Sequence, residues 1–148
     1  MQIDEQPVEL EVVFSNSLDE VWSAITEPDQ MRQWFFAEME DFIPEPGFET
    51  SFTIEHDERE FPHRWKVISV KPKSEMEVEW RYDGFAGAAK LTWFVSEDGG
   101  KTSLRIRHTA LESFPADDPV FSRESCVAGW EFLLEESLAE FLAGEEEE

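Results

Sequence analysis

The sequence has few of the features that mark secreted, disulfide-stabilised or membrane-spanning proteins. Cys126 is its only cysteine, so no intrachain disulfide can form, as is usual in a reducing compartment. No apolar run approaches the ~18 residues of a membrane-spanning helix. Asp4 and Glu5 stand where a signal peptide would carry positive charge. We therefore expect a cytoplasmic protein that does not insert into membranes.

Basic residues are scarce as well. The chain has 12 Lys and Arg against 35 Asp and Glu, which gives a formal net charge of -23. A field of that sign repels phosphate backbones, so we expect no nucleic-acid partner. The acidity is consistent with adaptation to a salty cytoplasm, with a basic partner, or with a surface that is simply acidic and solvated.

Motifs of nucleotide binding and covalent catalysis are missing too. The chain contains no P-loop, dinucleotide fingerprint, nucleophile elbow or CxxC pair. Residues 55–58 and His63 have the composition of a metal site, but four consecutive residues of a turn do not converge on one ion. Cys126 falls inside a helical pattern and is interpreted as a packed residue rather than a nucleophile. We expect neither a metal nor a cofactor.

The sequence does have period-2 alternation over much of its length. A weak strand is predicted over residues 38–43, and the run 61–70 changes parity midway, which predicts a bulge. Asp98-Gly99-Gly100 predicts a hairpin turn, and the short connections predict antiparallel neighbours. The clear strands, with one apolar face each, are residues 8–14, 48–55, 76–82, 91–95 and 104–108.

Helix signals precede and follow these strands. Ser17 and Glu20 make a capping box before a short helix, and Pro28 begins a second one. Asp118-Pro119 predicts the start of a long helix, and Gly144 its end. The apolar stripe of that helix is Val127, Trp130, Leu134, Leu138 and Phe141.

These elements predict one α+β domain over residues 1–148, with an acidic tail at residues 145–148. The long C-terminal helix has to lie across a curved antiparallel sheet, because neither apolar face is stable in water alone. A curved sheet with one covering helix can leave a space between them, and small-molecule sites favour such places.

The order of elements resembles the START-like, or helix-grip, superfamily. Residues 21–28 and 31–35 resemble the branch related to the activator of heat-shock protein 90 ATPase. A valine-rich strand ending in Pro72, a strand ending in His108 and the pair Gly129-Trp130 add to this resemblance. It implies a sheet of six or seven strands wrapped around the C-terminal helix, with two short helices after the first strand. It also implies, most often, binding of an apolar small molecule.

His108 is the most interesting titratable residue. It shares strand parity with Leu104 and Ile106, so it should point toward the apolar face. There it could donate a hydrogen bond to a ligand, act as a general acid or base, or be a core histidine satisfied by a backbone carbonyl or by the long helix. The predicted cavity lining is Phe35, Phe52, Trp65, Val78, Trp80, Trp93, His108, Trp130 and Leu134. The tryptophans are equally typical of a plain core.

Three hypotheses for function remain open. The first is a binding module for a hydrophobic or amphipathic small molecule. The second is a chaperone-assisting or protein-interaction domain whose acidic surface meets a basic partner. The third is a cyclase- or hydrolase-like enzyme that uses His108, assisted by Tyr82 or Arg81. The protein is expected to be a monomer or a homodimer, and we expect a binding role rather than catalysis.

Overall fold

A single antiparallel sheet forms the framework of the computed structural model, which describes residues 1–56 and 58–146. Its strands are β1 (Val8–Phe14), β2 (Glu49–His56), β3 (Arg59–Lys71), β4 (Glu75–Tyr82), β5 (Ala88–Asp98) and β6 (Lys101–Glu112). Their order is β1-β6-β5-β4-β3-β2. Strands β2 to β6 are a meander of hairpins, and β1 closes one edge by pairing with β6. The predicted antiparallel sheet is confirmed, with six strands.

Two short helices, α1 (Leu18–Thr26) and α2 (Pro28–Trp34), follow β1. The backbone N–H of Glu20 donates to the Ser17 hydroxyl at 3.2 Å, and the Glu20 carboxylate accepts from the Ser17 N–H at 3.3 Å. This confirms the predicted capping box. Pro28 is the first residue of α2, where its missing N–H breaks no helical hydrogen bond.

The strand predicted over residues 38–43 was wrong. These residues form no strand, because Arg32 of α2 donates to the carbonyl oxygens of Met39 and Glu40 at 3.0 and 2.8 Å. Met39 and Phe42 are buried. The apolar residues that suggested alternation therefore anchor a loop against the core.

Two irregularities of the sheet were predicted correctly. The register of β3 on β4 shifts between Val67 and Ser69, so Val67 is buried while Ile68 is exposed. Gly99 and Gly100 join β5 to β6 with φ of 60° and 82°, the left-handed pair that a two-residue hairpin turn requires.

The C-terminal helix differs from the prediction at both ends. Pro119–Phe121 is a separate 3₁₀ turn capped by Asp118, and helix α3 (Arg123–Glu131) begins only after Ser122, whose hydroxyl accepts from the N–H of Ser125. Helix α4 (Ala139–Glu146) runs through Gly144, so this glycine does not end the helix. Its φ is not positive, so it continues the helix rather than forming a left-handed cap. Residues 147 and 148 of the predicted tail lie outside the described residues.

Between α3 and α4 the helix widens into a π-helical segment, Phe132–Leu138. Over α3, this segment and α4 together, the buried apolar residues are Trp130, Leu134, Leu138 and Leu142, with Leu142 in place of the predicted Phe141. A spacing of four drifts around an α-helix by about 40° per step, because each turn holds about 3.6 residues. The wider turns counter that drift and keep all four side chains in the core.

The helix covers one face of the sheet, as predicted. The ring of Trp130 lies 5.5 Å from Trp93 and 6.3 Å from Trp80. The other face carries ion pairs such as Lys90–Glu77 at 3.3 Å. Among the described residues, no helix is long and apolar enough to cross a membrane.

Candidate functional site

The four predicted tryptophans surround one phenylalanine. The ring centroid of Phe35 lies 5.5 Å from that of Trp65 and 5.9 Å from that of Trp93. It also lies 6.3 Å from Trp80 and 5.7 Å from Trp130. These are contact distances for aromatic rings. Phe35 therefore fills the middle of the space between sheet and helix.

Open space remains at one end of this cluster, between β4, β6 and α3. A cavity of about 180 Å³ is lined there by residues that include Trp80, Tyr82, His108 and Trp130. A second cavity of about 320 Å³ shares Trp80 and Tyr82 and extends toward His63 of β3. Both are partly open to solvent. We call the two together the sheet–helix cleft.

Helix α3 forms the rim of the cleft. Ser125 and Gly129 lie one helical turn apart, are exposed, and border both cavities. A Cβ atom added to Gly129 would meet nothing within 4 Å, so the missing side chain keeps the rim open. Cys126 borders the smaller cavity, and burial raises the pKa of its thiol to about 11. The thiol is thus protonated and weakly nucleophilic at neutral pH.

His108 lies at the inner wall and is only 8% exposed. The indole Nε1–H of Trp130 donates to its Nδ1 at 3.1 Å. Burial lowers the pKa of His108 to about 4, and the positive charge of the Met1 amino group acts in the same direction. The imidazole is therefore neutral at pH 7, and the partner predicted on the long helix is present as Trp130.

Trp80 and Tyr82, which border the cleft, each carry one polar side-chain atom. The Nε1–H of Trp80 is buried and makes no hydrogen bond of ordinary geometry, although it lies near enough to the Tyr82 hydroxyl to oppose the rise in its pKa. Burial is the larger effect and raises the pKa of Tyr82 well above its usual range. Tyr82 is accordingly a neutral phenol in this setting.

His63 occupies the far end of the cleft in aromatic surroundings. Its Nδ1–H donates to the Phe61 carbonyl at 2.8 Å, and its ring stacks on Phe52 with centroids 5.0 Å apart. Burial lowers the pKa of His63 to about 4, and the hydrogen bond to Phe61 only partly offsets this. Within residues 1–56 and 58–146, no three His, Cys, Asp or Glu side chains are grouped to hold a metal ion.

The predicted lining residues thus fall into two groups. Trp80, His108 and Trp130 border the cleft. The others pack in the core: Phe35 within the aromatic cluster, Phe52 on His63, and Trp65, Val78, Trp93 and Leu134 at no more than 1% exposure. Ligand contact by any of these residues stays a prediction.

Arg81 does not belong to the cleft. Its guanidinium lies on the other face of β4, where it donates to Glu79 at 2.7 Å and to Glu112 at 2.8 Å. Strand parity explains this placement, because Arg81 is out of phase with the inward residues Trp80 and Tyr82.

Several cleft residues were missed from the sequence. Phe114 and Phe121 lie in or beside loops, where alternation carries no information about direction. Gly129 was noted only for the family resemblance. A glycine inside an amphipathic helix, one residue before an inward tryptophan, is the signal that could have marked the rim.

Comparison with known proteins places this architecture in a family. Residues 15–143 match the family model of Activator of Hsp90 ATPase homolog 1-like proteins. A search of the curated proteins gives no match.

Solved structures share the fold at low identity. The Mll3558 protein of Rhizobium loti has a TM-score of 0.78 at 20% identity, over 91% of this chain and 95% of that one. DynU16, from the dynemicin biosynthetic locus, has a TM-score of 0.75 at 21% identity over 94% of this chain, which spans 48% of DynU16. CalU16 of Micromonospora echinospora has a TM-score of 0.67 at 22% identity, over 94% of this chain and 77% of that one. The chain belongs to the Activator of Hsp90 ATPase homolog 1-like family, within the START-like superfamily of helix-grip folds.

Proposed function

We propose that this protein binds an apolar small molecule in the sheet–helix cleft. The observation that carries the proposal is an aromatic-walled cavity of about 180 Å³ next to one of about 320 Å³, with which it shares Trp80 and Tyr82. A cavity of about 150 Å³ accommodates a benzene molecule, and ligand sites of drug-sized molecules span about 300–1,000 Å³. The cleft therefore has room for a ligand of one to a few rings.

The walls favour binding over acid–base chemistry. A general base needs an unprotonated nitrogen aimed at substrate near neutral pH. The Nδ1 of His108 is occupied by the Trp130 indole N–H, so the proton of the neutral ring is on Nε2. A pKa of about 4 also makes the imidazole of His108 a weak base, which does not take up a second proton near pH 7. Trp80 and Trp130 supply broad apolar surfaces on which a planar ligand can stack.

The family and fold are compatible with this role. One solved structure of the same fold belongs to a biosynthetic locus, which supports a small molecule as the partner. We further expect the protein to act in the cytoplasm, because a single cysteine allows no intrachain disulfide.

A rim substitution tests the proposal. In Gly129→Leu the new side chain would lie back over the turn that holds Ser125, because helical side chains point toward the N-terminus. Gly144→Leu is the matched control, since Gly144 lies in the same helix, is exposed and also has nothing within 4 Å of an added Cβ. Both variants gain the same helix propensity.

Binding is measured by tryptophan fluorescence and by native mass spectrometry of freshly purified protein. The ligand panel contains fatty acids, sterols, aromatic polyketides and small bicyclic ketones. We expect Gly129→Leu to weaken binding about tenfold or more, which corresponds to about 1.4 kcal/mol, and Gly144→Leu to bind like the unmodified protein. Equal binding by Gly129→Leu would place the site elsewhere. A protein with no retained mass and no affinity across the panel would refute the proposal.

A chaperone-assisting role is the second candidate, favoured by the family match over residues 15–143 and by the net charge of -23. An acidic surface would meet a basic patch on the chaperone, and salt would weaken that contact. A pull-down of purified Hsp90 at low and high salt tests this. Salt-sensitive capture would support the role, and no capture at low salt would exclude it.

A further inference from the structure

The hydrogen bond between His108 and Trp130 fixes the position of a proton at the inner wall of the cleft. An indole N–H can only donate, so the Nδ1 that receives it at 3.1 Å carries no hydrogen. An imidazole without a proton on Nδ1 is the neutral tautomer with hydrogen on Nε2. His108 therefore presents a nitrogen that donates and does not accept.

This Nε2–H is available to a ligand. Among the described residues it has no hydrogen-bond partner. It is also not one of the unpaired side-chain nitrogens that are buried beyond the reach of solvent. The ring borders the smaller cavity, with Trp80 on one side at 5.4 Å between centroids. A ligand oxygen that accepts from this N–H would replace the water that can otherwise hydrate it, an exchange that contributes a modest net free energy.

The charges around the cleft favour a neutral ligand. Within the part of the chain that the structure describes, no Lys or Arg side chain borders either cavity, so a carboxylate would lose its hydration without a cationic side chain to replace it. The net charge of -23 repels anions as well. Met1 borders the smaller cavity, its α-amino group donates to the Phe121 carbonyl, and burial lowers the pKa of that amino group, which favours its uncharged form.

Building on the binding function above, we propose that the ligand is a neutral apolar ring compound with an exposed acceptor oxygen, such as that of a ketone. This oxygen accepts a hydrogen bond from the Nε2–H of His108. Trp130 is the positioning residue, because its indole N–H selects the tautomer that donates. The aromatic walls bind the rings, and His108 selects the acceptor.

A matched ligand series tests this class. Tetralin, 1-tetralone, 1-aminotetralin and tetralin-1-carboxylate share one bicyclic skeleton and differ in a single substituent. Because a neutral hydrogen bond contributes modestly, we expect 1-tetralone to bind about 5- to 10-fold more tightly than tetralin. The amine and the carboxylate should bind more weakly than the ketone.

Two substitutions locate the preference. His108→Leu should bring the ketone-to-tetralin affinity ratio to about one, whereas His108→Gln, which keeps an acceptor for Trp130 and an N–H for the ligand, should retain most of it. Trp130→Phe frees the imidazole to adopt either tautomer, so the ketone-over-amine ratio should fall. Nitrogen-15 NMR of the unmodified protein gives an independent reading, since the His108 signals should show hydrogen on Nε2.

The outcomes separate this proposal from the binding function. If tetralin and 1-tetralone bind equally well, the cleft binds ligands but His108 does not select them. If the carboxylate binds most tightly, the neutral class is wrong and the Met1 amino group is the anchor. A proton on Nδ1 in the NMR spectrum overturns the proposal without any variant. If no compound binds, the binding function fails together with it.

Discussion

Gly87 provides a sharp test of how the loops around the cleft are built. Its φ is +111°, a conformation that side chains rarely adopt. A Cβ atom there would lie 2.5 Å from Cδ1 of Phe114 and 2.9 Å from its Cα. Phe114 borders the cleft, and its backbone N–H donates to the Met1 carbonyl at 3.0 Å. A shift of Phe114 would therefore change the wall of the cleft and break this hydrogen bond.

Gly87→Ala should therefore destabilise the protein for two reasons. The positive φ costs about 1–2 kcal/mol for a residue with a Cβ. The contact with Phe114 adds about 1–3 kcal/mol, as overpacking of a filled region does. Gly84→Ala is the matched control, because Gly84 has a φ of +85° in the same loop but open space around an added Cβ.

Urea denaturation followed by circular dichroism gives the free energy of unfolding of each variant. We expect Gly84→Ala to lose about 1–2 kcal/mol and Gly87→Ala to lose about 2 kcal/mol more, which for a chain of this size lowers Tm by a further ~4–8 °C. Equal losses in the two variants would mean that Phe114 does not pack against Gly87, and the loop geometry described above would be incorrect.

Two other predictions concern pH and salt. Lowering the pH from 7.5 to 5.5 should reduce the free energy of unfolding by about 2–3 kcal/mol. Burial holds the pKa of His63 and His108 near 4 in the folded chain, while the unfolded chain binds protons below pH ~6.5, so stability falls with pH in this window. Chemical denaturation measures the slope of stability against pH, which should flatten in the double variant His63→Gln/His108→Gln. A slope of zero in the unmodified protein would contradict the two buried neutral histidines. Raising NaCl from about 0.02 to 1 M should raise Tm, because salt screens the repulsion of a net charge of -23. Calorimetry at fixed pH measures this effect, and a Tm that falls or stays constant with salt would show that self-repulsion does not limit stability.

The sheet could be predicted from the sequence because half-buried strands leave a direct imprint on it. Trp80 and His108 share parity with neighbouring apolar residues, and both face the helix. The change of parity in β3 correctly located the bulge next to Val67. Over residues 38–43 the same pattern was misleading, since a loop held by Arg32 can also bury every third or fourth side chain.

The long helix was predictable in kind but not in detail. Its start depends on whether Asp118 or Ser122 caps a continuous helix, and both are good capping residues. The π-helical segment results from packing Leu134 and Leu138 against the sheet while Ser137 donates to the Trp34 carbonyl at 2.6 Å. Such contacts join residues that are far apart in sequence, and local propensity does not report them.

The position of the cleft follows from one large side chain and one missing one. Phe35 fills the centre of the sheet–helix space against Trp65 and Trp93, and Gly129 adds no side chain at the end that Trp80 borders. Neither effect can be read from alternation, which indicates the direction of a side chain but not the volume opposite it. The inward tryptophans are necessary for an apolar cleft, but its location is set by residues on the helices that face them.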